Sequence, residues 1–198
     1  MADWDKKYRD GYCDEAAEPH DLLQKFWQII PGKRVIDIAM GNGRDGIFLA
    51  KKGFCVYGLE KSMEAIRIAK KTTERAGRSI SIIYGDAAAM PFKDGSVDCV
   101  IVFYFLLRDI MRNIPNMLGK GGVLIYETFL KRQNEVEICT ANAASDRGGL
   151  HRRNPDYLLE DGELISFFRD FQLLFYEETI SASMNNRRAT AKFIGRKR

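Results

Sequence analysis

A glycine-rich stretch that follows an apolar run is the feature that most restricts the fold of this chain. Residues 36–46 read IDIAMGNGRDG, in which Gly41, Gly43 and Gly46 have the spacing G-x-G-x-x-G. Between a strand and a helix, glycines at this spacing permit a tight turn and let the backbone approach a bound nucleotide. We therefore expect residues 33–39 to form a strand, and we expect the loop after it to bind an adenosine cofactor at the start of a helix.

Segments suited to strands alternate with amphipathic segments along the chain, which indicates a mostly parallel, doubly wound sheet with helices on both faces. We predict strands at residues 33–39, 54–60, 79–86, 97–105, 121–129, 171–180 and 188–197. We predict helices at residues 18–30, 43–53, 62–77, 108–118 (disturbed by Pro115) and 155–168 (interrupted at Gly162). The last two strands would form a hairpin. Ligands of such sheets bind beyond the carboxyl ends of the strands, so the predicted site comprises residues 39–46, 60–63, 85–92, 104–109 and 127–155.

The surroundings of the glycine loop favour S-adenosylmethionine (SAM) over a dinucleotide. Pyrophosphate binds best at helix N-terminal amides away from carboxylates, yet Asp37 lies only four residues before Gly41. Its carboxylate would repel a phosphate and would suit the ammonium group of SAM. Asp37 could also be a structural residue that bonds to loop amides, and the two roles can coexist.

Two further acidic residues end the next two predicted strands. Glu60, seventeen residues after Gly43, could accept hydrogen bonds from both ribose hydroxyls, a device that NAD enzymes share, or could only cap a helix. Asp86 could accept a hydrogen bond from the adenine amino group while the Ala87 amide donates to the ring. A simple turn aspartate is the alternative for Asp86.

The segments VIDIAMGNGRDGIFLAKKGFCVYGLEKS, GDAAAMPF, VDCVIVFYFLLR and LGKGGVLIYETF resemble the successive motifs of class I SAM-dependent methyltransferases. The resemblance implies a Rossmann-like fold with a seven-stranded sheet, whose last strands form an antiparallel hairpin over residues 170–196. It also implies SAM as cofactor and S-adenosylhomocysteine as product. Met40 departs from the family, which usually has a small residue there, and is expected to narrow the loop without abolishing binding.

A narrower resemblance links WDKKYRDGY, FYFLLRDI and YETFL…RRNPDYLLEDGEL to the tellurite-resistance-type small-molecule methyltransferases. It implies a compact enzyme without a separate substrate-recognition domain, so we expect residues 1–198 to form one domain. The predicted cofactor site consists of Tyr8, Asp37, Ala39, Gly41, Gly43, Glu60, Lys61, Asp86, Ala87 and Phe103.

The methyl acceptor is expected at the ends of the fourth and fifth strands. Tyr104 and Arg108 follow the fourth strand, where Arg108 could hold an anionic acceptor or be a solvated helix residue. Glu127 ends the fifth strand and could be a base, a cation anchor or part of a structural ion pair. His151 has the chemistry of a general base, although a lone loop histidine is often incidental. Together these four residues are the predicted catalytic set.

Two segments are predicted to cover the site. Residues 1–18 contain Trp4, Tyr8 and Tyr12 at helical spacing and would form a lid, or a short helix packed on the body. Residues 128–168 would form a substrate-side insertion. We expect residues 1–15 and 130–154 to become ordered around the ligand.

Composition sets weaker limits on function. The net charge of +4 is too mild to indicate nucleic acid, although NNRRATAKFIGRKR near the end keeps an RNA methyltransferase as an alternative. A non-catalytic SAM-binding partner and an NAD-dependent enzyme are further alternatives. We predict no membrane span, no metal site because cysteines and histidines are few and scattered, and a cytoplasmic location. The acceptor's identity and the oligomeric state stay open.

Overall fold

Seven strands form one sheet in the computed structural model, which describes residues 3–12, 18–89, 92–136, 153–181 and 187–198. The strands are β1 (Arg34–Ile38), β2 (Cys55–Glu60), β3 (Ser81–Tyr84), β4 (Val97–Phe103), β5 (Leu118–Phe129), β6 (Gln172–Ile180) and β7 (Ala189–Arg196). Their order across the sheet is β3-β2-β1-β4-β5-β7-β6. The first five are parallel, whereas β7 pairs antiparallel with both β5 and β6. The predicted doubly wound sheet and its C-terminal antiparallel hairpin are confirmed.

Helices cover both faces of the sheet. They are α1 (Trp4–Arg9), α2 (Asp21–Phe26), α3 (Arg44–Lys51), α4 (Met63–Ala76), α5 (Arg108–Met117) and α6 (Glu163–Phe167), and residues 133–136 are also helical. One apolar core joins the sheet to α2, α3 and α4, and the other joins it to α5 and α6. Among the described residues, no helix has the length and apolar character that a membrane crossing requires.

The glycine loop is a tight turn between β1 and α3. Gly43 precedes α3 with a φ of +76°, a left-handed conformation that favours glycine. A Cβ on Gly46 would lie 3.2 Å from the Cγ1 atom of Val56. The missing side chain therefore lets α3 pack closely against β2.

Met40 fits into this loop because the neighbouring strand leaves room for it. Its side chain is buried, and a Cβ on Gly58 of β2 would lie only 2.2 Å from the Met40 sulfur. Gly58 thus accommodates the large residue by which this chain departs from the family pattern.

The helix predicted at residues 155–168 differs from the structure, whereas the one predicted at residues 108–118 is present. Residues 155–168 were expected to be helical, but Pro155–Tyr157 form a 3₁₀ turn and Leu159 forms a parallel bridge with Leu130. Only α6 is helical in this stretch, because Gly162 adopts a left-handed conformation before it. Pro115 lies inside α5 without ending it.

Helix α1 is attached to the start of α4 by one carboxylate. The Oδ1 atom of Asp5 accepts hydrogen bonds from the Ser62 hydroxyl (2.6 Å) and from the Glu64 amide (3.2 Å). These bonds, above all the one from Ser62, lower the pKa of Asp5. Because the pKa is lowered in the docked state, docking of α1 is favoured when Asp5 is ionised and weakens as the pH falls.

We predict that Asp5→Asn releases α1 while the sheet remains intact. Hydrogen exchange of the amides of residues 3–12 should become faster, and exchange in β4 should stay unchanged. Asp10→Asn, which removes the same charge at the other end of α1, is the matched control. Equal exchange of residues 3–12 in the two variants would contradict the assigned anchor.

Candidate functional site

A cleft of about 680 Å³ lies at the carboxyl ends of the parallel strands, where the sequence predicted a site. Sites for small molecules commonly measure about 300–1,000 Å³. Residues that end or follow β1 to β5 line the cleft, together with residues of α1 and of the segments around His20 and Arg188. The lining residues come from both sides of the position between β1 and β4, where the order of the sheet reverses.

A buried carboxylate with one oxygen that lacks a hydrogen-bond partner lies on one side of this cleft. Asp37 is only 3% exposed, and its Oδ2 atom has no hydrogen-bond partner among the described residues. Burial raises the pKa of Asp37 well above its ordinary value, and the negative charges of Asp45 and Glu60 raise it further. An unpaired carboxylate in such a place favours a cationic ligand.

Glu60, at the end of β2, fixes the backbone around the same side. Its Oε2 atom accepts a hydrogen bond from the Gly41 amide at 2.9 Å, and Oε1 accepts from the amides of Lys61 and Ser62, both at 2.9 Å. Two carboxylate oxygens offer about four acceptor positions, so one remains for a ligand hydroxyl.

The turn after β3 completes this acidic side. The Asp86 carboxylate is largely exposed, accepts a hydrogen bond from the Ala88 amide at 2.9 Å and lies 3.9 Å from the Lys61 ammonium. Ala87 is buried at the start of a 3₁₀ turn and lines the cleft. Both residues lie where an adenine ring could contact them.

Tyr104 separates the two sides of the cleft. Its φ of +53° is rare for a residue with a side chain, and such strain is concentrated at functional sites. Its hydroxyl donates to Glu127 (3.0 Å) and accepts a hydrogen bond from the Arg188 guanidinium (3.2 Å). Burial, aided by the charge of Glu127, raises the pKa of Tyr104 to about 12. Tyr104 is therefore a hydrogen-bond donor at neutral pH and is unsuited to act as a base.

Two arginines enter the cleft from the far side, and adjacent amide side chains fix their backbones. The Asn134 side chain accepts from the Arg153 amide (2.9 Å) and donates to its carbonyl (3.1 Å). The buried Gln133 bonds to the Arg187 carbonyl (3.3 Å) and to the Ala189 amide (2.6 Å), on either side of Arg188. The guanidinium of Arg153 lies over Phe129 and that of Arg188 over Tyr104.

His20 lies at the centre of the cleft wall. Its backbone amide and its Nδ1 atom contact the two carboxylate oxygens of Asp45, at 2.8 and 2.7 Å. Its ring stacks on Phe103 with centroids 4.2 Å apart, and its Nε2 atom contacts the guanidinium of Arg44.

Aromatic residues of the N-terminal segment cover the glycine loop. Trp4, Tyr8 and Tyr12 form a cluster with ring centroids 5.6–6.3 Å apart, and all three line the cleft. The Tyr8 hydroxyl would lie only 2.7 Å from a Cβ on Gly41. Residues 4–9 of this segment form a helix packed on α4, and the role of the segment as a lid stays a prediction.

Residues 35–122 match the protein family described as a methyltransferase domain. A demethylmenaquinone methyltransferase from Renibacterium salmoninarum is 36% identical over 105 residues, which are 50% of this chain and 43% of that relative. Residues 35–122 extend from β1 into β5, so the match to the methyltransferase domain includes the glycine loop, Glu60 and Asp86.

Two other similarities define the limits of this assignment. TehB from Haemophilus influenzae has the same fold, with a TM-score of 0.72 at 19% identity over 98% of this chain and 66% of that chain. A 23S rRNA (uracil(747)-C(5))-methyltransferase from Pyrococcus abyssi is 39% identical over 66 residues, 33% of this chain and 16% of that relative. This chain spans about half the length or less of these curated relatives.

SAM is the cofactor of this family, and the acidic side of the cleft fits it. The unpartnered Oδ2 atom of Asp37 could bind the ammonium group, and the remaining acceptor position on Glu60 could bind a ribose hydroxyl. Asp86 and Ala87 could bind adenine. SAM supplies an electrophilic methyl group to the site.

The structure brings most of the predicted site residues together. Those that line the cleft are Tyr8, Asp37, Ala39, Gly41, Glu60, Lys61, Asp86, Ala87, Phe103 and Tyr104. Gly43 does not line it and serves the turn and the packing of α3. Glu127 lies behind Tyr104 and acts on the cleft through it. His151 lies outside the described residues.

Arg108 was predicted to hold the acceptor, but its guanidinium is engaged elsewhere. It forms a bidentate pair with Glu163 (2.6 and 2.9 Å) and donates to the carbonyls of Asp156 and Leu158. Arg108 also does not line the cleft. This geometry favours a structural role, in which Arg108 joins the start of α5 to the segment before α6.

Sequence reasoning missed His20, Arg44 and Asp45 as site residues. Arg44 and Asp45 were seen only as the start of a helix, and His20 only as part of another. A contact between residues 25 positions apart leaves no periodic signal. The Pro-His pair near the start of a predicted helix was the available hint.

We predict that Asp37→Asn stabilises the protein and weakens SAM binding. The raised pKa means that folding is disfavoured once Asp37 ionises, so the wild type loses stability as the pH rises through that pKa. An uncompensated buried polar group lowers the free energy of unfolding by about 1–3 kcal/mol, and each kcal/mol lowers the melting temperature by about 2–4 °C. Thermal unfolding should show a higher melting temperature for the variant at neutral pH, with a gap that closes towards acid pH.

Calorimetry should show weaker SAM binding by Asp37→Asn, and the exposed Asp109→Asn is the control. Unchanged SAM affinity, or a variant less stable at every pH, would be inconsistent with an unpaired charge at Asp37.

We predict that Arg108 and Glu163 act as a structural pair. Arg108→Ala and Glu163→Ala should each lower the free energy of unfolding, and the double variant should lose less than their sum, with a coupling of about 0.5–3 kcal/mol. Chemical denaturation measures all three, and SAM affinity should stay unchanged. If the losses of stability are additive and Arg108→Ala selectively raises the KM of an acceptor, Arg108 binds the acceptor and the structural interpretation is wrong.

Proposed function

We propose that this methyltransferase transfers a methyl group from SAM to a small, negatively charged acceptor in the basic half of the cleft. The observation that carries the proposal is the pair of guanidinium groups, Arg153 and Arg188, in the same cleft as the carboxylates suited to SAM. Arginine forks are suited to carboxylates and other oxyanions.

The order of the strands separates the two ligands by charge. Asp86, Glu60 and Asp37 follow or end the neighbouring strands β3, β2 and β1, whereas Arg188 precedes β7 on the other side of β4 and β5. Glu127 lies on this basic side, but its carboxylate accepts the Tyr104 hydroxyl. A cationic donor and an anionic acceptor would therefore bind side by side, with their reacting ends near β4.

The walls of the basic half suit a compact, apolar or aromatic body. Tyr104, Phe105, Phe129 and Tyr157 line it from three different segments. The Tyr104 hydroxyl donates its one proton to Glu127 and accepts a hydrogen bond from Arg188, so Tyr104 contributes its ring to the wall and helps to position the Arg188 guanidinium.

The relatives support a small acceptor more strongly than a nucleic acid. The match to a demethylmenaquinone methyltransferase covers half of this chain, whereas the match to a 23S rRNA methyltransferase covers a third of it. An RNA acceptor is therefore the second outcome that the assay has to distinguish.

The activity test uses SAM with a labelled methyl group and a panel of carboxylic acids, phenols, thiols, selenite and tellurite, alongside total RNA. We expect label on at least one small anion and none on RNA. Label on RNA alone would overturn the proposed acceptor class, and absence of SAM binding would overturn the enzymatic function.

We predict that Arg188→Gln lowers kcat/KM for an anionic acceptor by about tenfold to a hundredfold, the loss of one charge-assisted hydrogen bond. SAM affinity should not change, because Arg188 lies on the acceptor side. The exposed Arg112→Gln is the matched control. Comparison of 4-hydroxybenzoate with 4-hydroxybenzamide tests the charge directly, and equal losses for the two compounds would refute an anion-binding role.

A further inference from the structure

The two carboxylate oxygens of Asp45 hold one residue, His20. The Asp45 carboxylate on α3 is 6% exposed, and it contacts both the backbone amide and the Nδ1 atom of His20. The His20 side chain is 10% exposed. The imidazole is thereby fixed in position and in orientation at the wall of the cleft.

The contacts also define which ring nitrogen carries the proton. A carboxylate only accepts, so Nδ1 donates its proton to Asp45. A guanidinium only donates, so Nε2 accepts from Arg44 and carries the lone pair. His20 and Arg44 both line the cleft, and the Arg44 side chain is 30% exposed, so an acceptor that reaches Nε2 can take the place of Arg44.

The imidazole ring of His20 lies between the SAM side and the acceptor side of the cleft. It stacks on Phe103 at the end of β4, and its centroid lies 5.1 Å from that of Tyr104. Asp37, which suits the ammonium group of SAM, lines the same cleft. A pure structural clamp would need only the backbone amide and Nδ1, and would not need Nε2 at the cleft wall.

We propose that His20 is the general base of the reaction and that Asp45 is its positioning residue. The proposal rests on the proposed function, with an acceptor that reacts through an X–H group. The X–H bond breaks and the proton passes to Nε2, while the electron pair on X forms the bond to the methyl carbon. The carbon–sulfur bond breaks with its electron pair on sulfur, which leaves as the neutral thioether of S-adenosylhomocysteine.

Several charged and titratable groups surround His20. Asp45 and Arg44 contact it from α3, Tyr104 faces it after β4, and Asp37 of β1 lies in the same cleft. Asp21 follows it at the start of α2.

The test compares two anionic probes that differ in the need for a base. The hydroxyl of 4-hydroxybenzoate must lose a proton during transfer, whereas the thiol of 4-mercaptobenzoate is largely ionised at neutral pH. General bases contribute about 10²–10⁴-fold, so His20→Gln should lower kcat for the phenol by that range and remove the acid limb of its pH profile. The thiol rate should change by less than about tenfold, because its proton is already lost.

Asp45→Asn serves as a second variant and should lower the phenol rate more than the thiol rate, because the tautomer of His20 is no longer fixed. Asp21→Asn is the matched control. Parallel losses for both probes would show a structural clamp and would overturn the proposal.

A measurement without an acceptor separates this proposal from the proposed function. Nitrogen-15 NMR of the full chain with S-adenosylhomocysteine should show a protonated Nδ1 and a bare Nε2 for His20, identified by its loss in His20→Gln. The chain contains two histidines, which keeps the assignment simple. A protonated Nε2 would overturn the proposal even if small anions are methylated. If no small acceptor is methylated although NMR shows the expected tautomer of His20, only the proposed acceptor class is overturned. RNA would then replace the phenol as the substrate in the comparison of variants.

Discussion

The carboxylate of Glu60 holds together the two loops on which the cofactor side depends. It accepts the amide of Gly41 from one loop and those of Lys61 and Ser62 from the other. The Ser62 hydroxyl in turn bonds to Asp5 of α1. A continuous series of hydrogen bonds therefore joins the floor of the cleft to its cover, and a ligand that moves Glu60 acts on both.

Charge in this molecule is sorted by strand order and not by sequence. The Oδ2 atom of Asp37 has no hydrogen-bond partner among the described residues, because Arg153 and Arg188 enter beyond β4 and β5 and because Arg44, whose charge acts on Asp37, contacts His20. The destabilisation that this carboxylate causes is local, because the apolar cores on both faces of the sheet keep the backbone around it in place. The carboxylate lowers the stability of the unliganded protein, and a bound cation would restore that stability.

The sequence predicted the parts of this molecule that repeat a short-range pattern. The alternation of strands and helices, the glycine turn and the acidic residues at the ends of β1 and β2 all follow from local spacing. The pairing of His20 with Asp45 and that of Arg108 with Glu163 join distant segments, so no local pattern predicts them. The position of the Arg108 side chain could not be predicted for this reason. A side chain that follows β4 can turn towards the cleft or towards the neighbouring segment, and only the tertiary contacts decide between the two.

The adjacent Gln133 and Asn134 hold the backbones on which both acceptor-side arginines depend. Neither side chain contributes to the turn after β1 or to the end of β2. A change within residues 133–136 would thus shift Arg153 and Arg188 together and leave the methyl-donor side intact. In evolution, this separation would let one donor site be inherited unchanged while successive enzymes acquire new acceptors through a single short segment.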